Sequence, residues 1–95
     1  MVVGVMELHF ALIDNDSLKQ KRSVVKRIVH RCRNNFNVSV AEVEDQDFTD
    51  RATIGVVAVG NDARYIGGLL DKLEGFVDRL ALAELLDAPK TIERY

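Results

Sequence analysis

The side chains with the clearest chemical potential are a lone cysteine, two histidines and a run of basic residues. Nucleophilic catalysis requires a Ser or Cys beside a base. Cys32 and His30 lie two positions apart on a predicted helix and therefore point about 200° away from each other. Cys32 also falls among the apolar positions of that helix, so we expect a small buried side chain. Because no nucleophile–base pair is evident, we expect that the protein is not an enzyme.

Glu7 and His9 share one face of the first predicted strand and form a second candidate site. A metal ion would need one or two further ligands, and no second histidine is near. A small-ligand or metal site at this pair is therefore the weakest of three functional hypotheses, and the other two, nucleic-acid binding and self-association, follow below. A calcium loop beginning at Asp45 would place Asp50 where glycine is required. Glycine-rich phosphate loops are also absent, so no cofactor or metal is predicted.

Seven basic residues and no acidic residue lie between Ser17 and Val40. The whole chain has a net charge of −2, so the remaining six basic and fifteen acidic residues give the rest a net charge of −9. The predicted central strand, Ala52–Val59, lacks the aromatic residues that stack RNA bases on a sheet. Any nucleic-acid contact should therefore be to phosphates, although a solvated charged face explains the run equally well. The candidate phosphate-binding residues are Lys19, Lys21, Arg22, Lys26, Arg27 and Arg33.

The elements that must position these residues follow the order β-α-β-β-α-β. Strands are predicted at Val2–Leu12, Val38–Glu44, Ala52–Val59 and Leu80–Leu86, and helices at Leu18–Asn35 and Ala63–Val77. Asp87–Pro89 interrupts the last strand, which we expect to resume at Thr91–Arg94. The predicted fold is an α+β, ferredoxin-like sandwich. It has a four-stranded antiparallel sheet with both helices on one face, and residues 1–95 form a single domain.

The face of the sheet opposite the helices should have no helical cover, which favours a second chain, a loop or a ligand on it. A homodimeric protein-interaction module is therefore the alternative to nucleic-acid binding. The facing of the second strand is not determined, because Val38 and Val40 are out of phase with Val43. The predicted interface residues are Val3, Val5, Glu7 and His9.

Composition excludes several broad classes of protein. With 95 residues, 47% of them hydrophobic and 29% charged, the chain is typical of a folded domain. The net charge of −2 excludes a uniformly basic nucleic-acid coat. A single cysteine excludes an internal disulfide and favours a reducing cytoplasm. No apolar run reaches about 18 residues, and Met1–Phe10 lacks the features of a signal peptide.

Several stretches also occur together in one known group of proteins. They are Ser17–Arg22, Phe36–Val43, Gln46–Asp47, Arg51–Val56 and Asn61–Asp62. In this order they resemble the YlxP-like family of small bacterial proteins of unknown function, over most of the chain and most closely from Ser17 to Asp62.

The resemblance implies a ferredoxin-like fold and supplies no catalytic residues. Genes of the family commonly sit beside genes for translation initiation and ribosome maturation factors, which implies rRNA or the ribosome as a partner. The family's basic Ser-Leu-Lys-x-Lys-Arg element matches Ser17–Arg22, where the candidate phosphate contacts begin. The leading hypothesis is an accessory protein that binds structured RNA through its first helix.

Overall fold

The strands of the protein form one antiparallel sheet that carries two helices, as seen in a computed structural model describing residues 1–95. The strands are β1 (Val2–Ala11), β2 (Ser39–Glu44), β3 (Arg51–Gly60), β4 (Glu84–Asp87) and β5 (Lys90–Arg94), and the helices are α1 (Leu18–Asn35) and α2 (Ala63–Leu80). The sheet order is β2-β3-β1-β4, and β5 also pairs with β1. The predicted α+β, ferredoxin-like fold is confirmed. Neither helix is long and apolar enough to cross a membrane.

The core lies between the sheet and the two helices. In β1 the alternating residues Met6, Leu8 and Phe10 are buried, because alternate side chains of a strand point to the same face. Gly4 continues this row, and a Cβ atom there would lie 2.5 Å from Cγ2 of Ile66 on α2. A glycine therefore permits the close approach of α2 to β1. Both helices pack on this face of the sheet, so the opposite face carries no helix.

Helix α1 has the bounds that the sequence predicts, because both its cap and its apolar stripe are strong signals. The Ser17 hydroxyl accepts a hydrogen bond from the Gln20 amide at 3.1 Å, which satisfies one of the free amides of the first turn. Val25, Ile28 and Cys32 follow at helical spacing and are buried against the sheet. The opposite face of α1 is consequently left to its basic residues.

The last strand begins later than the sequence predicts and is divided into two. Helix α2 continues through Leu80 rather than ending at Val77, because no glycine or proline breaks it, and it ends where Ala81 adopts a left-handed φ of 52°. Pro89 has no amide hydrogen for the ladder, but its carbonyl accepts from the Glu7 amide at 3.0 Å. The chain thus stays beside β1 through the interruption, and the sheet has five strands rather than four.

An ion-pair cluster joins β5 to α2. The ammonium of Lys90 donates to Asp71 at 2.5 Å and to Glu74 at 2.8 Å. These hydrogen bonds raise the pKa of Lys90 above its ordinary value. The cluster adds a contact with α2 to the pairing of β5 with β1.

The facing of β2, which the valine pattern leaves open, is settled by its pairing with β3, in which Val40 lies opposite the buried Val56. The register with β3 shifts between Glu42 and Glu44. Val40 is buried on the helix side, whereas Val43, three residues later and within the bulge, lies on the uncovered side of the sheet. There the Cγ1 atom of Val43 would be 2.9 Å from a Cβ on Gly55, so Val43 packs over that glycine.

Candidate nucleic-acid interface

Helix α1 presents a row of basic side chains to solvent. Four of them are spaced three, four and seven residues apart: Lys19, Arg22, Lys26 and Arg33. Because these spacings match the helical repeat, the four lie along one side of the helix over about 21 Å. Arg27 is exposed beside this row. We call these five residues the basic face. The ion pairs of the protein involve Lys21 and residues outside α1, so no carboxylate neutralises the basic face.

Lys21 does not belong to the basic face, which corrects its prediction as a phosphate contact. Its side chain is fully buried, and its ammonium lies 3.1 Å from a carboxylate oxygen of Glu42 on β2. It also donates to the carbonyl of Asp45. The physical reason is position: Lys21 falls on the same stripe as Val25 and Ile28, so helical geometry directs it inward.

Arg33 is partly engaged at the edge of the sheet. One guanidinium nitrogen donates to the carbonyl of Val40 on β2 at 2.8 Å. A guanidinium has five N–H donors, so most of its donors stay available. The hydrogen bond holds this end of the basic face against the sheet. It also restricts the rotamers of Arg33 before a ligand binds, so less side-chain entropy would be lost on contact with a phosphate.

The uncovered sheet face brings the four predicted interface residues together. Val5 and Glu7 are exposed, whereas Val3 and His9 are half-buried. In the register of β1 with β3, Val5 lies opposite Val57 and Val3 opposite Val59. Sequence reasoning missed the β3 partners Val57 and Val59 because that strand is apolar almost throughout. The antiparallel register between the two strands is the signal that assigns them to this face.

A chain of polar contacts extends from His9 toward the loop after β2. The Thr53 hydroxyl donates to a carboxylate oxygen of Asp45 at 3.0 Å and lies 3.3 Å from Nδ1 of His9. Since that hydroxyl has one proton, it must accept from an Nδ1–H of His9. Nε2 of His9 then faces the carboxylate of Glu7 at 3.5 Å. Sequence reasoning missed Thr53 and Asp45, because their contact depends on the β2 bulge.

This polar chain contains no recognisable metal centre. No group of three or more His, Cys, Asp or Glu side chains is placed to hold a metal ion. Thr53 and Asp45 therefore place a hydroxyl and a second carboxylate near the Glu7–His9 pair, but these groups do not form a set of metal ligands.

Cys32 lies in the core, as its position in the apolar stripe predicts. Its side chain has no solvent exposure, and burial raises the pKa of the thiol to about 11. A protonated, enclosed thiol is a poor nucleophile, so this residue does not provide a reactive site.

One solved structure shares the overall fold, and a second is similar to a lesser degree. A proposed antibiotic biosynthesis monooxygenase from Deinococcus radiodurans is 17% identical, with a TM-score of 0.53, over 100% of this chain and 92% of that protein. A variant of SnoaB, a cofactor-independent oxygenase from Streptomyces nogalater, is 12% identical, with a TM-score of 0.49, over 99% and 92% of the two chains. Because its sequence identity is low, the Deinococcus radiodurans structure shows the fold alone.

The monooxygenase comparison corrects the expectation that the protein is not an enzyme. That expectation rested on the absence of a familiar nucleophile or metal motif. A fold shared with a proposed monooxygenase shows that this architecture is compatible with catalysis, and fold alone does not decide function. The missing motifs are therefore no ground for excluding an enzyme.

Sequence comparisons place the chain more specifically. The family model described as a protein of unknown function, DUF503, matches residues 3–89. The uncharacterized protein YlxP of Bacillus subtilis is 36% identical over 77 residues, which covers 81% of this chain and 84% of that protein. The resemblance to YlxP-like proteins is thereby confirmed, and the chain belongs to the DUF503 family of unknown function.

Proposed function

We propose that the protein binds structured RNA, such as rRNA in a ribosomal particle, through the basic face of α1. The observation that carries this proposal is that the basic face has no carboxylate partner within the protein. An unpaired row of cations about 21 Å long can follow successive phosphates of a backbone. Such contacts position a protein on nucleic acid without reading its bases.

The charge of the rest of the molecule supports one docking orientation. Outside Ser17–Val40 the chain has a net charge of −9. Acidic surfaces are repelled by phosphates, so they disfavour contact through any other side and steer the basic face toward the RNA. The net charge of the whole chain therefore does not argue against an RNA partner.

A charge-reversal experiment tests the proposal. Binding of a fluorescein-labelled RNA duplex of about 12 base pairs is followed by fluorescence anisotropy at low salt. We expect the variant Arg22→Glu/Lys26→Glu to bind at least about tenfold more weakly, because two phosphate contacts become repulsions. The matched control is Arg79→Glu/Arg94→Glu, which makes the same charge change at exposed positions outside α1 and should bind nearly as well as wild type. Equal losses in the two variants would reject the basic face as the binding surface.

Self-association through the uncovered sheet face is the second candidate function. Four valines there are unusually exposed: Val5 at 44%, Val43 at 45%, Val57 at 41% and Val59 at 62%. A two-fold axis would place this apolar patch against its own copy, which is the chemically matched partner for it. The basic face lies on the opposite side of the sheet, so a dimer of this kind leaves RNA binding unobstructed.

Light scattering tests self-association directly. Wild-type protein should have the mass of a dimer, and Val5→Arg should have the mass of a monomer, because a charge would be buried in the centre of the interface. Lys72→Met alters an exposed residue of α2 and is the control that should leave the mass unchanged. A monomeric wild type, or a dimer that survives Val5→Arg, would contradict a sheet-face interface.

A further inference from the structure

A groove with a cavity volume of about 280 Å³ lies between the end of α1 and the first half of α2. Its walls combine two cations, Arg64 and Lys72, with the amide side chains of Asn35 and Asn37 and the ring of Tyr65. Its volume is close to the roughly 300 Å³ at which small-ligand sites begin. The groove is thus large enough for a planar ring or a phosphate group.

Gly68 lines this groove, and packing does not explain its presence in a helix. A Cβ atom on Gly68 would meet no heavy atom within 4 Å. The neighbouring Gly67 differs, since a Cβ there would lie 3.2 Å from Ile92 on β5. Glycine is among the least favourable residues inside a helix. Its position in the groove means that any larger side chain would project into the space, so the glycine keeps the groove open.

The Asn35 amide donates to the carbonyl of Arg31 at 2.7 Å, whereas the cations and the tyrosine hydroxyl of the groove have no partner within the protein. Neither Arg64 nor Lys72 forms an ion pair with a carboxylate. Tyr65 is 67% exposed. Its amide donates to the N-cap carboxylate of α2, and its hydroxyl makes no hydrogen bond within the protein. An exposed aromatic ring beside unpaired cations is the arrangement with which proteins stack a base and hold the adjoining phosphate.

We propose that this groove binds one unpaired nucleotide. Arg64 and Lys72 hold its phosphate, the base stacks on Tyr65, and the amide of Asn37 meets the polar edge of the base. The inference rests on the proposed RNA-binding function and deepens it: the basic face grips a duplex, and the groove takes a base that the duplex leaves unpaired. The chemistry recognised is that of a nucleoside phosphate, whether it is part of an RNA strand or free.

Binding measurements with three probes test the groove. The first two probes are a single-stranded uridine oligomer of about 12 nucleotides and the duplex described above, both followed by anisotropy. We expect Tyr65→Ala and Gly68→Leu each to weaken binding of the oligomer by roughly tenfold, the size of one lost stacking contact. Duplex binding by both variants should stay within about twofold of wild type, since the duplex contacts only phosphates on α1.

Gly75→Ala is the matched control for Gly68→Leu. It also removes a glycine from α2, and its new Cβ would meet only the flexible end of Arg79. Both variants should raise the melting temperature by about 4–8 °C, because each replaces a helical glycine. Only Gly68→Leu should weaken oligomer binding, so a gain in stability combined with a loss of binding separates ligand recognition from folding.

The third probe, uridine 5′-monophosphate, separates failure of the groove from failure of the proposed function. In amide NMR spectra it should shift the signals of Tyr65 and Gly68 in wild type and leave those of Gly68→Leu unchanged. This result without duplex binding supports the groove as a site for free nucleotides and rejects the basic face. Duplex binding together with full oligomer affinity in Tyr65→Ala and Gly68→Leu overturns the groove and leaves the basic face standing. No binding of any probe overturns both.

Discussion

At the scale of single residues, the environment decides whether a lysine binds a ligand or supports the fold. Lys19 and Lys21 are separated by one residue in the same basic run, yet Lys19 is exposed and Lys21 is fully enclosed. The partner of Lys21 is Glu42, whose buried Oε2 atom lies 3.1 Å from the ammonium and accepts no hydrogen bond. The contact is thus a pairing of charges in a poorly hydrated space.

Removing the buried ammonium should destabilise the protein strongly. Lys21→Met keeps the length of the side chain but leaves Glu42 without a counter-charge, so we expect a loss of about 3 kcal/mol in the free energy of unfolding. Lys19→Met is the control, and it should change stability by no more than about 0.5 kcal/mol. Urea denaturation measures both values. Equal stabilities of the two variants would show that the Lys21–Glu42 pair is dispensable.

The buried thiol of Cys32 should be unreactive in the folded protein. Burial raises its pKa to about 11, and reagents have no access to the sulfur atom. A disulfide reagent added at pH 8 should therefore label native protein only as fast as the protein unfolds, whereas protein in urea should be labelled at once. Immediate labelling of native protein would place Cys32 at the surface, against the structure.

At the scale of elements, α1 performs two tasks with two faces. One side of the helix contributes Val25, Ile28 and Cys32 to the core, and the solvent-exposed side carries the basic face. A helix with so many like charges is weakened by repulsion between its own side chains. Its stability consequently depends on the buried face and on the capping hydrogen bond of Ser17.

Loss of the cap should destabilise the protein measurably. Ser17→Ala removes the acceptor for the Gln20 amide and should cost about 1 kcal/mol. Ser17→Asp retains an acceptor at the same position and should unfold within about 0.5 kcal/mol of wild type. Thermal or urea unfolding distinguishes the two. If Ser17→Ala is as stable as Ser17→Asp, the hydrogen bond to Gln20 does not stabilise α1.

Local signals account for which elements the sequence predicts accurately. Helix α1 is bounded by a serine cap and contains a continuous apolar stripe, so both ends could be predicted. The bulge in β2 could not, because it depends on the pairing of Glu42 and Glu44 with β3. Similarly, the start of β4 could not be predicted because it depends on where α2 ends. Helix α2 ends at a left-handed residue, Ala81, where a glycine would have been the usual sequence signal.

At the scale of the whole molecule, the sheet separates two surfaces of different chemistry. The helix side carries the basic face, and the other side carries exposed valines together with Glu7 and His9. The sequence could predict this division from the alternation in β1 and the charge pattern of α1. The helical spacing of Lys21 within the apolar stripe of α1 could have indicated its burial, but not its pairing with Glu42 on β2. The contact of Thr53 with Asp45 could not be predicted, since it depends on the bulge in β2.

The salt dependence of RNA binding tests the central claim most directly. If the basic face contacts four or five phosphates, the logarithm of duplex affinity should fall with the logarithm of salt concentration with a slope of roughly −3 to −5. Arg22→Glu/Lys26→Glu should make that slope shallower by about 2, and Arg79→Glu/Arg94→Glu should leave it unchanged. An affinity that does not change with salt, or a slope that the Arg22→Glu/Lys26→Glu variant keeps, would contradict RNA binding through the basic face.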